Sequence, residues 1–191
     1  MVLQYGAGLP IGYGRVSPQL LYDLMQLHVY YRAINDRGFV IEQRGQSNIL
    51  AHMLDDLVGS HAAAAAAVEE VGAEEHGDDA HRASLYVGHD TQLDGLAVLL
   101  NLTWAAPPYP RDATPPGAMI RLTRRGDGAA ATVTADFLYT TFGDESGEVF
   151  VADTSFKGGA GSATMPLAHF EKAVTGAIDW QCVRKNAASA A

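Results

Sequence analysis

Ser84 to Leu102 reads SLYVGHDTQLDGLAVLLNL, and this stretch carries most of the information about the fold. Leu85 to Gly88 is a short apolar run ending in glycine, the pattern of a strand buried in a parallel sheet. Thr91 to Leu102 then repeats apolar residues at helical spacing, through Leu93, Leu96, Ala97 and Leu100. Between the two stand a pair of ionisable side chains, His89 and Asp90. In open α/β sheets, ligands collect beyond the carboxyl ends of the strands. A helix start adds unpaired N–H groups and the positive end of the dipole, both favourable to an anion. An imidazolium there can donate to a phosphate oxygen, and a neighbouring carboxylic acid can protonate a departing alkoxide. A purely structural interpretation stands beside this one: Asp90 as an N-cap, His89 as a strand-end residue bonded to a loop. The dipeptide alone leaves both open.

Working outward, Met1 to Tyr5 predicts a short strand, followed by the turn GAGLPIGYG. Its glycines lack the Lys-Ser/Thr of a phosphate-binding P-loop and are read as turn residues. Ser17-Pro18 is a helix start, with an N-cap serine and proline at the first helical position. Leu20, Leu21, Leu24, Leu27 and Tyr31 keep a helical period toward an expected core, and Gly38 closes the segment. His28 on this helix is assigned a packing or hydrogen-bonding role. A second helix is expected from about Ser47, with Ile49, Leu50, Met53, Leu54 and Leu57 on one face. Residues 59–82 form an Ala-rich, then acidic insert, helical until Gly72 and a solvated loop beyond. Its His61, His76 and His81 match no compact ligand spacing, so no metal is expected.

Downstream, AAPPYPRDATPPG is an ordered proline loop, since each proline restricts its own φ and its predecessor. AMIRLTRR and ATVTADFLYTTF alternate as two strands around the turn at 126–128, an antiparallel hairpin. Glu148 to Ala152 predicts another short strand, and Pro166 to Ile178 a last amphipathic helix with Leu167, Phe170, Val174 and Ile178 inward. Residues 183–191 are expected to be a disordered tail. There is no internal repeat.

Bulk properties narrow the function. The chain has 191 residues, 48% of them hydrophobic and 18% charged, which suits a single globular domain. Its 13 basic and 22 acidic residues give a net charge of −9, unfavourable for a nucleic-acid partner. A few local cations can still hold a small phosphorylated substrate. No apolar run is long enough for a membrane span, and the first residues lack the pattern of a signal peptide. Cys182 is the single cysteine, either a free thiol or half of a bridge to a partner outside this chain.

GHDTQLDGLAVLLNLTW followed by PRDATPPGAMIRL resembles the C-terminal signature of the histidine acid phosphatases, in the bacterial branch of phytases and glucose-1-phosphatases. The matching pieces are Gly88 to Leu93, Leu100 to Trp104, and Thr114 to Gly117, and the likeness extends from Val2 to about Arg125. The fold implied is α/β: part of a phosphoglycerate-mutase-like three-layer α/β/α sheet with a C-terminal β-hairpin and helices, without its N-terminal strands. The activity implied is hydrolysis of phosphate monoesters, such as phytate or sugar phosphates, through a phosphohistidine, with no cofactor or metal. By that resemblance Asp90 is the proton donor and His89 a phosphate contact. Thr91 and Gln92 support the helix start and pocket wall. Arg44 borders the pocket in relatives, while composition favours a solvated arginine.

The family's nucleophile motif, RHG-x-R-x-P, is absent from these 191 residues. The chain is therefore expected to be the C-terminal portion of such a domain, inactive or nearly so by itself. Its partners would be a phosphate monoester and the missing N-terminal half, and the intact family implies a periplasmic or secreted location. The resemblance also implies that Cys182 pairs with a cysteine of that earlier half. A non-catalytic anion-binding or interaction module is the alternative. So is an unrelated helix-and-hairpin domain in which Asp90 only caps a helix.

Overall fold

The computed structural model describes residues 1–58, 83–142, 147–157 and 161–184. The Ala-rich acidic segment, its three histidines and the end of the tail lie outside the described residues.

Three helices open the chain: α1 (Val2–Gly6), α2 (Pro18–Asn35) and α3 (Phe39–Val58). Ser17 caps α2 as its sequence predicts, its hydroxyl accepting from Leu20 N at 3.1 Å with Pro18 in the first turn. Met1 to Tyr5 departs from expectation, forming α1 instead of a strand. Local β-propensity means little where no neighbouring strand offers a ladder. The second helix also begins eight residues before Ser47, at Phe39, because Gly38 starts it rather than closing the one before: Gly38 O accepts from both Ile41 N and Glu42 N.

Helix α4 (Asp90–Leu99) follows His89, whose extended backbone makes it the N-cap in place of Asp90. The strands are β1 (Leu102–Ala105), β2 (Met119–Arg125), β3 (Thr132–Tyr139), β4 (Phe150–Val151), β5 (Asp153–Phe156) and β6 (Thr164–Pro166), and the last helix is α5 (Leu167–Ala177). All observed pairings are antiparallel. Among the described residues β1 pairs with β5 alone, while β3 is flanked by β2 on one side and by β4 and β6 on the other. The predicted hairpin is β2–β3, in register from Met119↔Leu138 to Arg125↔Thr132. Gly126 and Gly128 turn it with positive φ values of 73° and 56°, which glycine adopts without strain.

The expected parallel strand at Leu85 to Gly88 does not form. The segment pairs with nothing in the sheets, and Leu85 and Val87 are 84% and 90% exposed. A strand exists only through its partners, and the described residues supply none here.

One core joins both sheets to the helices. Trp104 of β1 stacks on Phe137 of β3 with ring centroids 4.1 Å apart and planes 7° apart, both rings fully buried. Leu50 and Leu54 of α3, Leu96 of α4, and Phe170 and Val174 of α5 complete the same cluster. Helix α2 is the exception. Leu21 and Met25 reach the interior, but Leu20, Leu27 and Tyr31, expected inward, are exposed, because nothing among the described residues packs on that side. His28 is also exposed, not packed.

Helices α3 and α4 approach closely at Gly95. A β-carbon there would collide with Glu42 Oε2 and stand 2.5 Å from Gln46 Cγ. Gly95→Ala gains about 1 kcal/mol of helix propensity, yet overpacking of a tight core costs about 1–3 kcal/mol. Both side chains it displaces are buried. The variant is expected to be less stable than the parent, read as a lower urea midpoint at unchanged slope. An increase in midpoint would show that Glu42 has room to swing aside.

Among the described residues no helix is long and apolar enough to cross a membrane.

Candidate functional site

Helix α4 presents its first turn to a large open cleft. His89, Asp90 and Gln92 line it, together with Gly88 and the Thr114 to Gly117 loop. Strand β2 lines the same cleft, and α2 contributes Leu24, Met25 and His28. Gln92 performs the expected support of the helix start, its Oε1 accepting from His89 N at 2.8 Å. Thr91 N donates to Asp90 Oδ1 at 2.9 Å, which orients that carboxylate from its own turn. Thr91 itself is not part of the cleft wall.

Asp90 is not alone. Its Oδ2 lies 3.4 Å from Arg32 Nη1 of α2, and its side chain remains 43% exposed. Behind it runs a buried charge network that begins one helical turn further on, at Asp94. That carboxylate is 1% exposed and receives two arginines. Arg32 donates to Oδ2 through Nε at 2.7 Å, with Nη2 at 2.6 Å, while Arg37 donates to Oδ1 through Nε at 3.0 Å and Nη2 at 2.6 Å. Arg32 also meets Asp36 at 3.1 Å. Burial works against the charge on Arg32, but the hydrogen bond to Asp94 and the fields of Asp94, Asp90 and Asp36 together raise its pKa. The guanidinium beside Asp90 is thus a permanent cation.

Arg37 carries the network into the proline loop. It donates to Asp112 O at 2.7 Å and sits 5.5 Å over the Trp104 ring. Asp112 in turn accepts from Trp104 N at 2.9 Å and from the Thr103 hydroxyl at 2.8 Å. The first turn of α4, the end of α2 and the loop before β2 are therefore held in one frame. Sequence reasoning passed over Arg32, Arg37, Asp94 and Asp112. Asp94 did leave a signal: a carboxylate one turn after Asp90, inside an otherwise apolar helix, needs a buried partner.

Glu42 closes the far side. It is buried, and Gln46 Nε2 donates to its Oε2 at 3.3 Å. Burial pushes its pKa up, further raised by Asp36 and Asp94, while Gln46 and Arg32 work in the opposite direction. The native state then holds this proton to higher pH than the unfolded chain does. Stability falls as pH rises from the ordinary carboxyl value upward through the raised native one. Glu42→Gln removes that slope, so its stability advantage over the parent should be larger at pH 7 than at pH 5 in paired urea titrations. An equal difference at both would mean Glu42 is ionised in the native chain.

Arg44 lies elsewhere. It is exposed on α3, on the side where its charge acts on Cys182, and does not line the cleft. Cys182 has no disulfide partner among the described residues, and its Sγ lies 3.6 Å from Asp179 Oδ2; burial first, then that carboxylate, push its pKa up.

With this geometry in hand, comparison with solved structures is informative. The chain superposes on the phytase of Klebsiella sp. ASR1 with a TM-score of 0.73 at 19% identity, covering 97% of this chain and 47% of that one. The phytase from Citrobacter braakii gives a TM-score of 0.70, again at 19% identity, over 96% of this chain and 48% of the other. The fold is that of bacterial phytases. The chain spans about half the length of these enzymes. No protein-family model matches it, and no curated protein sequence does.

Proposed function

We propose that this chain carries the proton-donor half of a phosphate-monoester hydrolase site of the histidine acid phosphatase type. The observation that supports it most is the joint position of His89 and Asp90. Both stand at the first turn of α4, on the wall of the main cleft, in a chain with the phytase fold. His89 contacts the transferring phosphoryl group, and the α4 N-terminus adds its dipole to the same anion. Asp90 protonates the leaving-group oxygen. Arg32 holds the Asp90 carboxyl toward α2, and Gln92 and Thr91 set the turn from which both side chains project. The substrates are phosphate monoesters of the phytate or sugar-phosphate kind. The route needs no metal or cofactor.

The chain lacks an Arg-His-Gly tripeptide, so no phosphohistidine forms within it. The isolated chain is expected to turn over a generic aryl phosphate near the buffer background at acid pH. It should nevertheless bind inorganic phosphate weakly, seen as a shift of the His89 ring signals in NMR and lost in His89→Ala. Unmoved His89 signals at high phosphate would sink the site. Strong turnover by the isolated chain, lowered about a hundredfold or more by Asp90→Asn, would keep Asp90 as the acid and overturn the expected inactivity. Phosphate binding without turnover in any context would instead fit an anion-binding module, the reading that the missing tripeptide favours.

A further inference from the structure

Glu42 is a buried carboxyl that the proposed chemistry does not use. It lies where α3 and α4 come closest, with Oε2 against the backbone of Gly95, whose missing side chain makes the space. Asp94 immediately precedes Gly95, and less than two turns back the helix begins at Asp90, capped by His89. Glu42 does not line the cleft. It nevertheless touches the helix whose first turn carries the proposed site.

Its surroundings are already acidic. The guanidinium groups of Arg32 and Arg37 are committed to the carboxylates of Asp36, Asp90, Asp94 and Asp112. Among the described residues no Lys or Arg forms an ion pair with Glu42. Its carboxyl receives a single side-chain hydrogen bond among them, from Gln46 Nε2 at 3.3 Å, which is long for an amide donor. The charges that act on it are Asp36 and Arg32 from α2 and Asp94 from α4. Helix α5 and the turn after it also pack on α3. There His169, Glu171 and Lys172 are exposed, and Asp179 is held at Ser47, more than a turn further along α3.

A carboxyl so placed is at ease as the neutral acid, which needs no counter-ion and keeps the bond from Gln46. Ionisation adds a further negative charge where carboxylates already outnumber guanidinium groups. An unpaired buried charge is costly enough that the structure yields before it is held. With the Gly95 backbone on one side and Gln46 on the other, the carboxylate reaches water when α3 and α4 part.

We infer that Glu42 is a proton-operated latch on the seam between α3 and α4. As the neutral acid it lets α4 dock and keeps the His89–Asp90 turn ordered. Once its proton has passed to water, the seam opens and that turn is freed. The sign follows from the site: burial first, then Asp36 and Asp94, raise the native pKa of Glu42. The turn is therefore fully held below the ordinary carboxyl value and loosens as pH climbs through the raised native one. Only the use made of the turn rests on the phosphatase reading; the latch follows from the packing at Gly95.

Amide hydrogen exchange of the full chain at pH 5 and pH 7, corrected for the intrinsic pH dependence of exchange, tests this. Protection at Leu93 to Leu96 should fall about tenfold or more between the two, while that of Val133 to Phe137 in β3 holds. The midpoint should coincide with titration of the Glu42 side-chain carbon signal in NMR. Glu42→Gln should keep full protection at both pH values. Asp36→Asn removes a like charge that bears on Glu42 and should move the midpoint to lower pH, a second check should Glu42→Gln fail to fold. A fall that persists in Glu42→Gln would assign it to another group, His89 first, and overturn the inference. So would level protection in the parent, or an unmoved midpoint in Asp36→Asn. Order lost with Glu42 ionisation, but His89 ring signals unmoved by inorganic phosphate at pH 5, would keep the latch and remove the phosphatase reading. Phosphate-shifted His89 signals in a turn indifferent to Glu42 would do the reverse.

Discussion

Asp94→Ala should destabilise the chain by about 3 kcal/mol, the lower end of the range for breaking a buried ion pair by removing one partner. The carboxylate is almost fully enclosed and accepts from two arginines whose side chains are themselves only 10% and 11% exposed. Removing it strands two guanidinium groups in a place that water reaches poorly, and that penalty exceeds the worth of the bonds lost. The value stays near the lower end because neither arginine is left bare. Arg32 keeps Asp36 and Asp90, and Arg37 keeps Asp112. Asp94→Asn retains one acceptor oxygen and the shape, and should cost less than alanine. Urea denaturation of the three proteins at neutral pH measures the order directly. An alanine cost below about 1 kcal/mol would mean that the network is held from outside Asp94, by the Arg37 to Asp112 contacts. Because Arg32 also touches Asp90, the same change should loosen the first turn of α4, visible as faster exchange of its amides.

Trp104→Ala is the second large effect, with an expected loss of about 3–5 kcal/mol. The indole is fully buried between the two sheets. Its removal opens a cavity, ends the stack on Phe137, and orphans Ala113 O, which accepts from Trp104 Nε1 at 2.8 Å. It also takes away the ring beneath Arg37. Thermal unfolding should move down by on the order of 10 °C for a chain of this size. Trp104→Phe keeps an aromatic ring on Phe137 but not the indole N–H, and should lie between alanine and the parent. A midpoint shift of only a degree or two for alanine would show that the sheets collapse onto each other without the indole.

Much of the architecture was legible because its causes are local. Ser17-Pro18 starts α2 through one side-chain cap and one fixed φ, and both are properties of adjacent residues. Thr132 to Tyr139 alternates strictly between half-buried and buried, the period by which a strand advertises one wet face and one dry one. The glycines at 126 and 128 mark the turn for the same kind of reason. Leu102 to Ala105 escaped this logic. It is apolar enough to extend the preceding helix on paper, but Asn101, with a left-handed φ of 54°, stops the helix and Phe156, far along the chain, pairs with Leu102.

The site divides in the same way. Sequence by itself determined that an imidazole and a carboxyl share the first turn of a helix, since adjacency and helical period need no tertiary knowledge. It could not tell that the N-cap is His89 and not Asp90, nor that Arg32, 58 residues earlier, stands beside Asp90. Only the tertiary structure decided that, and it also decided that Leu85 to Gly88 finds no strand partner among the described residues and that Leu20, Leu27 and Tyr31 of α2 face outward. Strand pairing and burial are relations between distant segments, so an apolar pattern records what a segment can bury against, while the packed chain alone records whether that surface is there.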